Sequence, residues 1–414
     1  MELLSPAGNL EKLRYAYAYG ADAAYIGLQE FSLRTRAGNF GLDDIPSMKA
    51  IKGSRKLYAA INSYLHEDDL DILRSRFSMI EAYPFDAFIV SDLGAAELLK
   101  ERFPEIALHL STQANCINSA AAKAYEHMGF SRIILGRETP LTDIRRIKDA
   151  APSLEIETFV HGAMCMAYSG RCFLSSFLAG RSANQGDCSH TCRWNYRVME
   201  RQEDSGEFPQ GELALEESER PGVYYPISEG DGYTTILSSK DLCMIDHLAE
   251  LKSAGVDSLK IEGRMKSLYY VATVTRAYRK ALDAVEGFSA PDDWKDYRDE
   301  LFQVSHREFS TGFFFGTESI EHPTEQGYLH DYLFVGTIVK QVAESLYLMD
   351  LKNQIRMHTA IEYIGPRTLA IQDKDFELFD VDLKPIEKQD HGKTAFLKTN
   401  KSLEDGFIIR RLLN

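Results

Sequence analysis

The chain has 414 residues, of which 44% are hydrophobic and 26% charged, with a formal net charge of −15. That length exceeds one ordinary domain, and the acidic balance excludes a uniformly basic nucleic-acid surface, leaving room only for a local basic face. No apolar run approaches about 18 residues, so no membrane span is expected, and "MELLSPAG" lacks the regions of a signal peptide, so a cytoplasmic location is expected.

Short strand-like runs begin at Glu2, Ala23, Leu57, Ala87, Ala107, Arg132, Ile156 and Ser258. Helical patterns lie between them, including Leu10–Tyr19, Leu70–Ala82, Ala95–Arg102, Ala120–Met128 and Leu141–Ala150. Such alternation implies parallel strands joined by right-handed crossovers. Eight units within residues 1–290 predict an α/β fold, a (β/α)8 TIM-like barrel. An open doubly wound sheet is the alternative, but no Gly-x-Gly-x-x-Gly follows the first strand.

The seventh unit is swollen. Residues 162–240 lose the strand–helix rhythm and read as a long, cysteine-bearing insertion after strand 7. It is expected on the C-terminal face, where barrel enzymes build their sites. "SLKIEGR" and the stretch after it supply the eighth strand and a long last helix. Residues 291–332 read as a connecting segment. Residues 333–414 read as a small β-barrel domain, from short alternating runs separated by Gly, Asn and Asp.

Four of the six cysteines fall in the insertion. Cys165, Cys172, Cys188 and Cys192 are separated by six, fifteen and three residues. Cytosolic thiols stay reduced, so a cluster there points to metal or redox chemistry rather than disulfides. Four thiolates suit an iron–sulfur cluster or a structural zinc, and the spacing is not that of a zinc ribbon. Buried small hydrophobes are the bland alternative, which a Gly-rich, non-periodic loop disfavours. Cys116 and Cys243 sit in periodic segments and read as packing, with Cys243 a reserve ligand.

Polar residues crowd the C-terminal ends of the predicted strands: Ser5, Asn62, Asp92, Gln113, Arg137, Glu138, His161, Glu262 and Arg264. A barrel interior is expected to be filled by Val, Ile and Leu, so such groups mark the open face. Singly, each is as well explained as a cap or turn residue. As a set they predict an active site, with His161, Glu138 and Glu262 suited by type to proton transfer. Arg137, Arg264 and Lys266 gather positive charge near a helix start and suit an anionic ligand, with Gln113 and Asn62 beside them. Arg34 and Arg36, after the second strand, are ordinary surface charge or a phosphate contact. No Gly-x-Ser-x-Gly elbow, His-Glu-x-x-His helix or P-loop is present.

The stretch "ETFVHGAMCMAYSGRCFLSS" resembles the signature of peptidase family U32, the collagenase-like peptidases. The similarity extends to "ELLSPAGNLEKLRYAYAYGADAAYIG", "HLSTQANCIN", "ILGRE", "QGDCSHTCRWNY", "SSKDL", "SLKIEGRMKS" and "SHREFSTGFFFG", nearly the whole chain. Within the family, the length and small C-terminal β-domain resemble the tRNA hydroxylation branch. That resemblance implies formation of 5-hydroxyuridine at the wobble position of tRNA without molecular oxygen, with a prephenate-type anionic donor. It also implies a four-iron four-sulfur cluster on Cys165, Cys172, Cys188 and Cys192, loaded by iron–sulfur assembly proteins, with Cys243 as an alternative fourth ligand. The peptidase label is harder to support, since no nucleophile with its base is recognisable and thiols on a cluster are not free nucleophiles. A collagenase-like peptidase and a zinc-stabilised, non-catalytic RNA-binding protein are the alternatives.

Overall fold

The structure is a computed structural model of the chain. It describes residues 1–28, 40–164, 167–172, 175, 181, 188–189, 214–216, 224–226, 228–230, 233–235, 239–316 and 328–413. The chain divides into two compact units. One comprises Met1–Leu10, Ala23–Met265 and Arg307–Tyr328, and the other Glu11–Asp22, Lys266–His306 and Leu329–Asn414.

The first unit is built on eight parallel strands: β1 (Glu2–Pro6), β2 (Ala23–Gly27), β3 (Lys56–Ile61), β4 (Ala87–Val90), β5 (Ala107–Leu110), β6 (Arg132–Ile134), β7 (Glu155–Ala163) and β8 (Ser258–Ile261). Each pairs with the next, and β8 pairs with both β7 and β1, so the ring closes into the expected barrel. All eight predicted strands are present. The helix expected over Leu70–Ala82 is two, Glu67–Ser75 and Phe77–Ala82. The first starts earlier than the apolar pattern because Asp69 accepts the His66 N–H at 2.9 Å, an N-terminal cap that periodicity does not register. Asp92 is likewise a cap, accepting the Ala95 N–H at 3.0 Å.

The barrel interior differs from the expected aliphatic filling. Tyr58 on β3 donates to Glu2 on β1 at 2.6 Å, and Arg132 on β6 donates to Glu2 at 2.6 Å. These strands are not neighbours, so the side chains meet across the lumen. Arg132 also reaches Glu157 at 3.0 Å, and Lys260 donates to the other Glu157 oxygen at 2.8 Å. The interior near the strand starts is therefore a closed lattice of alternating charge. Burial alone would raise the Glu157 carboxyl, but Lys260 and Arg132 overcome it and hold Glu157 below its ordinary value. A buried charge without such partners would be strongly disfavoured, and each ion here has at least one.

Beyond the barrel rim β7 runs on and pairs antiparallel with a short strand, Asp241–Cys243, which itself pairs with Phe309–Ser310. The insertion leaves and re-enters the barrel at adjacent points: Ser239 Oγ donates to the Met164 carbonyl at 2.7 Å. Within it, Ala214–Glu216 pairs with Tyr224–Pro226 and Ser228–Gly230 with Tyr233–Thr235.

In the second unit, the helix Leu268–Glu286 is capped by Ser267 Oγ, which accepts the Tyr270 N–H at 3.1 Å, and ends at Gly287 with φ of 82°. Eight further strands form an antiparallel sheet, a half-barrel around Val335, Met349, Tyr363, Leu397 and Ile409, and Ile355–Arg356 pairs separately with Lys388–Gln389. Arg410 in this sheet joins Glu362 at 2.8 Å and the Tyr269 hydroxyl at 3.0 Å. Among the described residues, no helix is long and apolar enough to cross a membrane.

Candidate functional site at the barrel mouth

An ion pair joins the C-terminal ends of two strands. Just past β6, Arg137 donates to Glu262, just past β8, at 3.2 Å. Its guanidinium carbon sits 4.1 Å from the centre of the Phe159 ring, which fixes the plane of the fork. The two side chains are 16% and 17% exposed, enough for a ligand to reach the pair. One step down the barrel, Lys260 feels the Glu262 charge and lies over the Tyr25 and Phe159 rings at 4.5 and 5.5 Å. Burial pulls the Lys260 ammonium below its ordinary value while Glu157 opposes the shift.

His161, near the end of β7, is buried at 1% exposure, and its ring lies 5.3 Å from that of Phe309. Between Lys260 and Ile261 the β7–β8 register slips, so Lys260 opposes Phe159 and Ile261 opposes His161. Such a bulge re-aims side chains at a barrel rim. Glu262 N–H donates to the His161 carbonyl at 2.9 Å, which ties two of the predicted proton-transfer residues together through the backbone. On its other side His161 stands opposite Cys243 in the antiparallel ladder.

On the β3–β5 side, Asn62 Nδ2 donates to Ser111 Oγ at 3.4 Å, and the same hydroxyl accepts the Gln113 N–H at 3.3 Å. Gln113 is buried, and its Nε2 finds no acceptor among the described residues. The turn ends at Asn115 in the left-handed conformation, φ 57° and ψ 47°, which Asn adopts more readily than most residues. Arg264 is buried. Lys266 belongs to the other unit, where its ammonium donates to the Ser305 carbonyl at 3.3 Å and lies over the Tyr270 ring.

The thiol-bearing segment enters this mouth. Ser169 donates from its N–H and its Oγ to the two Glu138 oxygens, at 3.2 and 3.0 Å. Gly170 lies so close to the turn after β5 that an added Cβ would clash with the Gln113 carbonyl oxygen. Cys172 and Cys188 are partly buried. Ser175 Oγ lies 2.8 Å from Ser189 Oγ and accepts the Ser189 N–H at 3.0 Å, so the segments carrying Cys172 and Cys188 converge. Among the described residues, no three or more His, Cys, Asp or Glu side chains gather as a metal-holding group. Cys165, Cys192, Arg34 and Arg36 lie outside the described residues. Cys116, by contrast, is buried, and burial pushes its thiol up to about 11, as befits a packing residue.

Several residues central to this geometry went unmarked in the sequence. Ser169 and Asn115 flank predicted residues but carry no charge to draw notice. Arg307 and Asp241 form a buried pair, Nη2 to Oδ1 at 2.6 Å and Nε to Oδ1 at 3.0 Å. Arg307 also reaches Ser239 at 3.4 Å, clamping the base of the insertion. A signal existed: "SSKDL" and "SHREF" carry opposite charges inside otherwise strand-like motifs.

The model of peptidase family U32 matches residues 8–324. The chain belongs to peptidase family U32. Among U32 relatives, tRNA hydroxylation protein P of Escherichia coli is 36% identical over 99% of this chain and 96% of its own. A 23S rRNA 5-hydroxycytidine synthase of Escherichia coli is 38% identical over 69% of this chain and 40% of its own. A collagenase of Porphyromonas gingivalis is 29% identical over 95% of this chain and 93% of its own.

Proposed function

We propose that this chain is an RNA-modifying enzyme of the cytoplasm that hydroxylates a base of tRNA, forming 5-hydroxyuridine at the wobble position. One observation carries the reading. An arginine fork, Arg137 on Phe159 with Glu262, faces the same barrel mouth on which the Cys172-bearing turn is seated. The full-length similarity to a tRNA hydroxylation protein supports it, as does the similarity to an rRNA hydroxycytidine synthase.

In this reading Cys165, Cys172 and Cys188 hold a four-iron four-sulfur cluster, with Cys192 or Cys243 as the fourth ligand. When bound, the cluster supplies redox chemistry at the barrel mouth or organises it. Replacing the C5–H of uridine by C5–OH removes two electrons from the base. With no molecular oxygen consumed, the oxygen donor is reduced in turn. A small carboxylate-bearing donor of the prephenate type suits Arg137 and Arg264, because a guanidinium fork matches a carboxylate bidentately. Arg137 would exchange Glu262 for the donor, with Asn62 and Gln113 offering amides on the opposite side. Of the groups suited by type to proton transfer, His161 and Glu262 are joined through one backbone hydrogen bond, and His161 is our candidate for moving the proton displaced from C5.

The test starts with purification in the absence of oxygen and a count of iron and sulfide per chain. Nucleoside analysis of tRNA from a deletion strain follows. Brown protein with iron and sulfide, and loss of 5-hydroxyuridine that the wild-type gene restores, is expected. Zinc without iron would favour the structural-metal alternative. Gelatin cleavage that persists without the metal would favour a collagenase-like peptidase. If His161→Ala leaves 5-hydroxyuridine unchanged, the proton-transfer assignment is wrong.

A further inference from the structure

Glu138 has the side chain of a general base, yet neighbours take three of its roughly four acceptor positions. Asn115 Nδ2 donates to Oε1. Ser169 donates its N–H to Oε1 and its Oγ–H to Oε2. Three donors thus converge on two oxygens, and hydrogen bonds to an ionised acceptor are the strong ones. The same Ser169 Oγ accepts the backbone N–H of Arg137 at 3.2 Å. On the far side of the turn, Gly170, at φ of 72°, lies flush against the Gln113 carbonyl with no room for a side chain. The Ser169–Gly170 turn is therefore gripped by a carboxylate on one side and by bare backbone contact on the other. Cys172 follows two residues later.

We propose that Glu138 is a positioning residue rather than a proton carrier. It latches the Ser169–Gly170 turn onto the barrel mouth. Through that turn it sets both the Cys172 thiol and, by way of Ser169 Oγ, the backbone from which Arg137 projects. A base needs a lone pair turned towards its substrate, and a carboxylate receiving three protein donors offers little. The latch also links two parts of the site. A metal group that immobilises Cys172 holds Ser169, and Ser169 holds Arg137, so filling the thiol set and binding an anion favour each other. What the thiol holds rests on the function proposed above; the latch itself rests on the hydrogen bonds.

Full-length wild type, Glu138→Ala, Glu138→Gln and Ser169→Ala separate the possibilities, read by amide exchange across residues 169–171 and by iron and sulfide content. Gln keeps one oxygen to accept from Asn115 and Ser169 and turns its amide to the Ser169 oxygen, so it retains most of the latch. Expected is exchange about tenfold faster in Glu138→Ala, with most of the iron lost and near-normal values in Glu138→Gln. Ser169→Ala should fall between them. A proton carrier predicts the reverse pattern: Ala and Gln equally inactive in hydroxylation, both with wild-type exchange and iron, and that result would overturn the proposal. If wild type holds no iron and sulfide but Glu138→Ala still frees the turn, the latch stands and the cluster reading falls. If wild type holds iron and Glu138→Ala changes neither exchange nor iron, the latch falls and the cluster reading stands.

Discussion

Lys260 Nζ donates to Glu157 Oε1 at 2.8 Å inside the barrel, where the two side chains are 4% and 0% exposed. Arg132 takes the other Glu157 oxygen, so one carboxylate bridges two cations, and Arg132 is also paired with Glu2 and Glu155. Glu157→Gln leaves both cations short of a partner and should destabilise the protein by ~3–5 kcal/mol in urea unfolding. Replacing Glu157 and Lys260 together with Leu and Met should recover most of that loss, because Arg132 keeps Glu2. A single Gln variant as stable as wild type would show that the lattice carries no such energy.

His109 faces the same lattice, with its ring 4.8 Å from that of Tyr58. Burial first, and then the Arg132 charge, hold it well below the ordinary histidine value, so it is neutral in the folded protein. The unfolded chain then binds a proton that the native chain does not. Stability from this group is present above about pH 6.5 and falls as the pH drops below it, with a slope of up to ~1.4 kcal/mol per unit. His109→Gln should therefore lose less Tm than wild type between pH 7.5 and about 5.5. Parallel curves would contradict this.

Arg307→Lys keeps the charge opposite Asp241 but loses the fork that also holds Ser239. The expected loss is ~1–3 kcal/mol, read as a lower urea midpoint at unchanged slope. Equal midpoints would make the clamp dispensable.

Gly170→Ala puts a methyl group where the Gln113 carbonyl stands and imposes a left-handed backbone on a side chain. Loss of ~1–3 kcal/mol from the docked turn is expected, seen as faster amide exchange confined to residues near 169–171. Uniformly faster exchange would point to global destabilisation instead.

Arg137→Lys tests the fork directly. Lys preserves charge but not bidentate geometry or ring stacking, so the KM for the anionic donor should rise roughly tenfold or more while kcat changes less. A fall in kcat alone would place Arg137 in the chemical step rather than in donor binding.

The barrel was legible because its eight strands are short, β-branched and evenly interleaved with amphipathic helices. The strand-end residues were legible because polar groups there break an apolar rhythm. The interior lattice was not, although Glu157 and Lys260 stand in alternating phase with His161 and Glu262 along their strands. Alternation shows that such residues share a face, but not that β1, β3 and β6 bring Glu2, Tyr58 and Arg132 to them across a lumen. Ser169 was equally opaque, since its importance lies in two hydrogen bonds to Glu138 that depend on how the long loop folds back. Asp92 is a polar strand-end residue that caps a helix, the role open to each such residue taken singly.

The insertion departs at Met164 and returns at Ser239, and a single 2.7 Å hydrogen bond joins those two residues. Closing a loop whose ends already touch depends only weakly on its length, at ~0.6 kcal/mol per doubling. Barrel closure therefore bears little on how many residues lie between those points, whereas the Ser169–Gly170 turn inside them stays fixed to the strand ends through Glu138 and Gln113. A change of length placed beyond that turn should cost the scaffold little.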